Sequence, residues 1–153
     1  MYNINDIAKY VIKRCNDLKF EISNLQLQKI LYYIQGYFLA AFHSVAFSDE
    51  IYAWKLGPVI PSVYYDYSYF AANPIKLNQL GEKEEVLSLP LRENEIKLID
   101  SIIKAKINIP VWELVNDTHN ESPWLETAQG NVISTDKIQL YFDKVVEDFS
   151  KGH

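Results

Sequence analysis

One short stretch of the sequence, His119-Asn120-Glu121, has the residue types and spacing of a catalytic metal site. This H-x-E spacing occurs in zinc deaminases, where the histidine binds the metal and the glutamate transfers protons. Those enzymes complete the site with a P-C-x-x-C element, but this chain has only one cysteine and three histidines. A zinc site needs several such ligands, so the sequence predicts no metal and no other cofactor.

The single cysteine, Cys15, is a possible catalytic nucleophile. A catalytic thiol must be reachable and activated, whereas Cys15 falls on the apolar face of a predicted helix, which favours a buried, inert thiol. The sequence also lacks glycine-rich phosphate loops and the G-x-S-x-G turn. We therefore expect no enzymatic activity. An enzyme or small-molecule-binding protein using His119 and nearby carboxylates is the alternative, and it requires an open pocket beside His119.

Segment 27–33, Leu-Gln-Lys-Ile-Leu-Tyr-Tyr, places polar residues on a strongly apolar helix. Residues four apart share one face of a helix, so Gln28 and Tyr32 are neighbours, and Lys29 lies next to them. Two interpretations are open. These side chains form either a polar seam that hydrogen-bonds the adjoining loops or an exposed patch that contacts a partner protein.

A second segment joins a predicted strand to a predicted helix through Gly57-Pro58. Glycine frees the backbone and proline restricts it, so we expect a rigid corner that interrupts the strand. Trp54 and Tyr64 flank this corner, and large aromatic residues dominate the energetics of many protein interfaces. The corner is therefore either plain architecture or a fixed aromatic anchor for a partner.

The helix that follows the corner carries further tyrosines. If Val63, Tyr67 and Phe70 face the core, then Tyr65 and Tyr69 share a more exposed face. Solvent-facing tyrosines suit a binding surface, but they are also common as ordinary surface residues. Both interpretations stay open.

The third segment, 114–128, contains His119 and Trp124. A histidine can titrate near neutral pH, although one in this setting more often ties a loop to the core. Trp124 follows Ser122-Pro123, a helix-start signal, and we expect it to pack inward. We place His119 among the candidate partner-binding residues, which are Gln28, Lys29, Tyr32, Trp54, Tyr64, Tyr65, Tyr69 and His119.

The elements that position these segments are mainly helical. Apolar spacings of three and four residues predict helices at about 4–19, 24–43, 61–71, 93–106, 110–118, 123–129 and from Ser134 onward. Alternation predicts a minor β element near 50–56 and allows another near 86–89. Helix 24–43 is apolar nearly all round, so it should be central, with Gly36 permitting close packing. The expected fold class is mainly α, leaning to α+β: a compact bundle of six or seven helices around helix 24–43.

Length, charge and cysteine content limit the class of protein further. A chain of 153 residues fits one domain. The net charge of −5 disfavours nucleic-acid binding, which usually needs a basic excess. One cysteine rules out an intrachain disulfide and favours a reducing compartment. No secretory signal and no apolar run of membrane-spanning length is visible, so we expect a cytoplasmic protein without a membrane partner.

Together and in this order, the three segments resemble the SocA-like antitoxin family, also called the Panacea domain and related to phage-associated GepA proteins. The family motif L-Q-K-L-L-Y-Y resembles residues 27–33, and A-W-x-x-G-P-V-x-P-x-x-Y is similar to residues 53–64. T-H-x-E-x-P-W is similar to residues 118–124, and a closing Tyr-Phe pair matches Tyr141 and Phe142. The resemblance covers about residues 24–142. It departs at Tyr37-Phe38, where the family often carries a tryptophan.

The resemblance implies a single SocA-like domain over residues 1–153 in a bacterial or prophage-encoded cytoplasmic protein. It implies an antitoxin that neutralises a cognate protein toxin by direct contact in a toxin–antitoxin system. In part of the family, neutralisation involves delivery of the toxin to an ATP-dependent protease, so a host protease or chaperone is a further expected partner. The alternative is a phage or mobile-element factor that binds a host protein, as a protease adaptor or defence modulator, without a cognate toxin.

Overall fold

The computed structural model describes residues 1–80 and 89–151, and within them the chain forms seven α-helices and one small antiparallel sheet. The helices are α1 (Ile4–Asp17), α2 (Asn24–Phe42), α3 (Pro61–Asp66), α4 (Glu93–Lys106), α5 (Val111–His119), α6 (Ser122–Leu125) and α7 (Thr135–Lys151). The strands are β1 (Ile51–Trp54), β2 (Gly57–Val59) and β3 (Val132–Ile133), and 3₁₀ turns cover Ser68–Phe70 and Leu77–Leu80. The mainly α fold class with a minor β element is confirmed. The strand allowed near 86–89 lies outside the described residues, apart from the irregular Leu89.

Helix α2 is the centre of the bundle, as its apolar circumference predicted. It contacts α1, α3, α4, α5, α7 and strand β2. A capping box fixes its start, since Ser23 Oγ accepts a hydrogen bond from the Gln26 amide and Gln26 Oε1 accepts one from the Ser23 amide. No helix among residues 1–80 and 89–151 is long and apolar enough to cross a bilayer.

Helix α7 crosses α2 at Gly36, where a side chain would have no room. A Cβ atom added at Gly36 would overlap the ring of Phe142. That ring makes edge-on contacts with Tyr32, Tyr33 and Tyr37, at centroid distances of 5.5, 6.0 and 4.9 Å. Such pairs add stability beyond their buried area. The expectation that Gly36 permits close helix packing is confirmed.

The prediction that Gly57-Pro58 interrupts the strand is wrong. Gly57 begins β2, which pairs antiparallel with β1, so that Trp54 faces Gly57 across the hairpin. Gly57 adopts a φ of +110°, which side chains rarely allow. Proline is tolerated at position 58 because β2 lies at the edge of the sheet, whose strand order is β2-β1-β3.

Two helices end well before their predicted limits. Helix α3 ends at Asp66 instead of near residue 71, and a 3₁₀ turn completes the segment. Helix α6 ends at Leu125, before the predicted limit at Gly130. The faces of the α3 segment are nevertheless as expected, because Val63, Tyr67 and Phe70 are buried. Tyr65 and Tyr69 are 64% and 74% exposed.

Candidate partner-binding surface

The side chain of Gln28 is buried and forms hydrogen bonds both within α2 and to the corner that follows β2. Its Oε1 accepts a hydrogen bond of 2.9 Å from the Ile60 amide, and its Nε2 donates one of 3.0 Å to Asn24 Oδ1. Asn24 in turn donates to the carbonyl of Tyr64 at 2.9 Å. Buried side-chain amides need such partners because leaving them unpaired is costly. The chain of bonds therefore fixes the strand-to-helix corner to α2.

Lys29 is fully buried beside Gln28 and is hydrogen-bonded to β2, the strand that leads into this corner. Its ammonium donates a hydrogen bond of 3.0 Å to the carbonyl of Pro58. Burial disfavours the charged form and lowers the pKa of Lys29 to about 7. A Cβ added at Gly57 would lie 2.8 Å from Lys29 Cε and 2.7 Å from Thr118 Oγ1, so glycine makes space for this lysine.

Tyr32 and Tyr33 both donate hydrogen bonds to Glu121, the glutamate of the H-x-E stretch. The distances are 2.9 Å to Oε1 and 2.7 Å to Oε2. Burial raises the pKa of Glu121, and the two hydroxyl donors oppose that rise. Lys106 lies 4.2 Å from the centroid of the Tyr33 ring and adds a favourable charge nearby. Glu121 therefore ties the start of α6 to α2.

His119 packs against Trp124 in a stacked arrangement, with ring centroids 4.0 Å apart. The indole of Trp124 donates a hydrogen bond of 2.8 Å to the carbonyl of Trp54, which links the third segment to the second. Nε2 of His119 is buried and has no hydrogen-bond partner among the described residues. The part of the chain that the structure describes contains no group of three His, Cys, Asp or Glu residues placed to bind a metal ion.

Three of the predicted contact residues, Gln28, Lys29 and Tyr32, do not form an exposed patch. All three are completely buried, because α2 is covered on every side by other elements. Their hydrogen bonds to the corner and to Glu121 correspond to the polar seam that was the other interpretation. The prediction that these three residues form an exposed contact patch is therefore wrong.

The exposed part of the predicted surface is an aromatic cluster formed by Trp54, Tyr64 and Tyr65. Their rings meet edge-on, with centroid distances of 5.3 Å for Trp54–Tyr64, 6.1 Å for Trp54–Tyr65 and 5.6 Å for Tyr64–Tyr65. Trp54 and Tyr64 are half-buried, whereas Tyr65 is largely exposed. Tyr69 lies in the 3₁₀ turn that follows α3 and packs edge-on against Phe70. The half-buried His119 stacks on Trp124, whose indole is hydrogen-bonded to the carbonyl of Trp54.

An open groove of about 650 Å³ lies beside the aromatic cluster, and most of the residues that line it were not among the predicted contact residues. Asp49, Glu50 and Tyr52 line it together with Trp54. Alternation along β1 could have indicated Tyr52, since it shares the sheet face of Trp54 while Ile51 is buried on the other. The two carboxylates carried no comparable signal.

Comparison with known proteins identifies the class of this small helical protein. The chain matches the family "Antitoxin SocA-like, Panacea domain" over residues 27–125 and belongs to it. It is similar to Antitoxin SocA of Caulobacter vibrioides (strain NA1000 / CB15N), with 28% identity over 148 residues. That match covers 93% of this chain and 79% of the relative. No solved structure gives a significant match.

Proposed function

We propose that this protein is the antitoxin of a toxin–antitoxin system and neutralises its toxin by direct contact, without catalysis. Family membership over residues 27–125 is the observation that carries this proposal. The proposed setting is the bacterial cytoplasm, where a phage-derived or chromosomal gene pair would produce both proteins. The similarity to Antitoxin SocA of the bacterium Caulobacter vibrioides supports a bacterial setting.

The absence of catalysis is supported by the state of the residues that first suggested an enzyme. Both oxygens of Glu121 accept hydrogen bonds from tyrosine hydroxyls, and the carboxylate is buried. His119 is stacked on Trp124, and its Nε2 is buried without a hydrogen-bond partner among the described residues. Cys15 is buried, and burial raises its pKa to about 12, so the reactive thiolate is disfavoured.

The aromatic cluster Trp54–Tyr64–Tyr65, together with the exposed Tyr69, is the surface that we assign to toxin binding. Exposed tyrosines and tryptophans bring large contact area at little cost in side-chain entropy. The cluster sits on a corner that the hydrogen bonds of Gln28, Lys29 and Trp124 hold in place. A preorganised anchor loses less conformational freedom on binding than a loop. The buried polar residues therefore act as positioning residues for the contact surface.

Co-expression with the adjacent gene tests the proposal. The adjacent gene product alone is expected to arrest growth, and this chain is expected to restore growth and to co-purify with that product. The double variant Tyr65→Ala/Tyr69→Ala should lose rescue. Trp112→Ala, which removes an equally exposed aromatic residue from α5, should keep it.

An adjacent gene product that does not arrest growth would contradict the antitoxin role. In that case, capture of a host protease or chaperone by the wild type, lost in the double tyrosine variant, would support the alternative of a host-directed factor. Equal rescue by wild type and double variant would instead contradict the assignment of this face.

A further inference from the structure

The groove next to the aromatic cluster combines negative charge with aromatic walls. Its described lining includes Asp49, Glu50, Tyr52, Trp54, Ser62 and Gly130, and no lysine or arginine is among the described residues that line it. The groove is open to solvent. Its chemistry therefore selects for a positively charged occupant.

Strand geometry explains why the aromatic side chains face the groove. Side chains alternate between the two faces of a strand. In β1, Ile51 and Ala53 are buried against the core, whereas Tyr52 and Trp54 are half-buried on the opposite face. The hairpin to β2 and the pairing with β3 hold that face in place.

The two carboxylates enter the groove from the segment that leads into β1. Asp49 Oδ2 accepts a hydrogen bond of 3.4 Å from Ser62 Oγ at the start of α3, and no hydrogen bond to its Oδ1 occurs among residues 1–80 and 89–151. Glu50 is exposed, and no ion pair of either carboxylate occurs among the described residues. Two adjacent carboxylates that form no ion pair within the described part of the chain favour binding of a cation from outside.

We infer that this groove binds an arginine side chain of the partner protein. A guanidinium group is flat, stacks on tryptophan and tyrosine rings, and forms paired hydrogen bonds with a carboxylate. The groove supplies both requirements in one place, with Trp54 and Tyr52 as stacking surfaces and Asp49 and Glu50 as acceptors. A nucleic-acid occupant is disfavoured because the carboxylates repel phosphate groups.

This inference rests on the proposed function, since the arginine belongs to the toxin that the aromatic cluster contacts. The groove and the cluster share Trp54, so one partner segment can occupy both. The cluster provides apolar contact area, and the groove provides negative charge that fixes the position of the arginine. Specificity for a partner with an arginine in register with the aromatic contact follows from this arrangement.

A peptide titration tests the groove alone, without the toxin. The probe is the capped tripeptide acetyl-Gly-Arg-Gly-amide, added to the ¹⁵N-labelled full chain and followed by NMR. The Trp54 indole signal should shift saturably, with a dissociation constant on the order of 1 mM. The matched peptide with citrulline, which keeps the shape and lacks the charge, should bind about tenfold more weakly or worse.

Two results of the titration would overturn the inference. One is an equal shift with the citrulline peptide, because the carboxylates would then be irrelevant. The other is no saturable shift of Trp54 with the arginine peptide. A lysine peptide that binds as well as the arginine peptide would overturn the choice of guanidinium over ammonium.

A pair of charge-matched double variants links the groove to the partner. Asp49→Asn/Glu50→Gln removes two charges from the groove while keeping the side-chain size. Asp143→Asn/Asp148→Asn removes two charges from exposed positions on α7. The groove variant should weaken binding of the toxin, and of the arginine peptide, by about tenfold or more and reduce its salt dependence. The α7 variant should bind as the wild type does.

These outcomes separate the inference from the proposed function. If the groove variant neutralises the toxin with wild-type affinity, the arginine site is wrong while the antitoxin role stands. If the adjacent gene product is harmless but the arginine peptide still binds the groove selectively, the antitoxin role fails and the arginine site stands.

Discussion

The ammonium group of Lys29 donates a hydrogen bond of 3.0 Å to the backbone carbonyl of Pro58, and the lysine side chain is completely buried. Lysine is rarely buried without a carboxylate partner. Here the partner is a carbonyl of the strand that leads into the binding corner. The contact therefore connects the most hydrophobic helix of the protein with the surface assigned to the partner.

This burial predicts a specific dependence of stability on pH. The pKa of Lys29 is 10.5 in an unfolded chain and about 7 in the folded protein. Between these values the unfolded chain binds more protons, so stability rises with pH across this window. From about pH 7 to pH 9.5, the wild type should gain on the order of 2–3 kcal/mol relative to Lys29→Met, at about 1.4 kcal/mol per pKa unit.

Urea denaturation at the two pH values measures this difference directly. The exposed Lys104→Met variant controls for the loss of a lysine from the chain. The prediction is contradicted if the free energy of unfolding changes with pH equally in the wild type and in Lys29→Met. The amine of Lys29 would then have the same pKa in the folded and the unfolded chain.

Replacement of Glu121 by glutamine should destabilise the fold. Both carboxylate oxygens accept a tyrosine hydroxyl, and the amide of glutamine offers only one acceptor in their place. One buried hydroxyl is left without its acceptor, which costs roughly 1–3 kcal/mol. Chemical denaturation measures the loss, with the exposed Glu126→Gln as the matched control. A loss no larger than that of the control would show that the two hydrogen bonds contribute little.

The helical framework could be predicted because its signals are local and repeated. Helix α4 begins and ends where the apolar spacing placed it, at residues 93 and 106, and α2 differs by one residue at its end. Strands β2 and β3 were missed because three and two residues are too short to show a pattern. The pairing of β3 with β1 also joins segments far apart in sequence, since Ile51 lies opposite Ile133.

The candidate site was only partly predictable, for a different reason. The exposed faces of Tyr65 and Tyr69 follow from local helical spacing. The burial of Lys29 does not, since charged side chains are normally exposed and its partner Pro58 lies on another element. The groove carboxylates were missed because the groove is formed by elements that only the tertiary fold brings together.

Introducing a methyl group at Gly36 should disrupt the crossing of α2 and α7. The added Cβ overlaps the ring of Phe142, so one helix must shift. Overpacking of this kind costs typically about 1–3 kcal/mol, which outweighs the gain of up to about 1 kcal/mol in helix propensity. Thermal or urea unfolding of Gly36→Ala measures the result.

The double variant Gly36→Ala/Phe142→Leu identifies the cause of that loss. A smaller side chain at position 142 makes room for the methyl group, so the two changes together should destabilise less than the sum of each alone. Additive effects would show that the overlap with Phe142 is not the source of the instability.

Removal of the Tyr65 side chain should separate binding from folding. Tyr65 is 64% exposed and its ring contacts are with Trp54 and Tyr64 at the surface. Tyr65→Ala should therefore change the free energy of unfolding by no more than about 0.5 kcal/mol, as expected for surface substitutions. An interface anchor of this type contributes about 2 kcal/mol to binding, so the affinity for the toxin should fall roughly thirtyfold. Calorimetry with the purified toxin measures the affinity, and a variant that binds as tightly as the wild type would exclude Tyr65 from the interface.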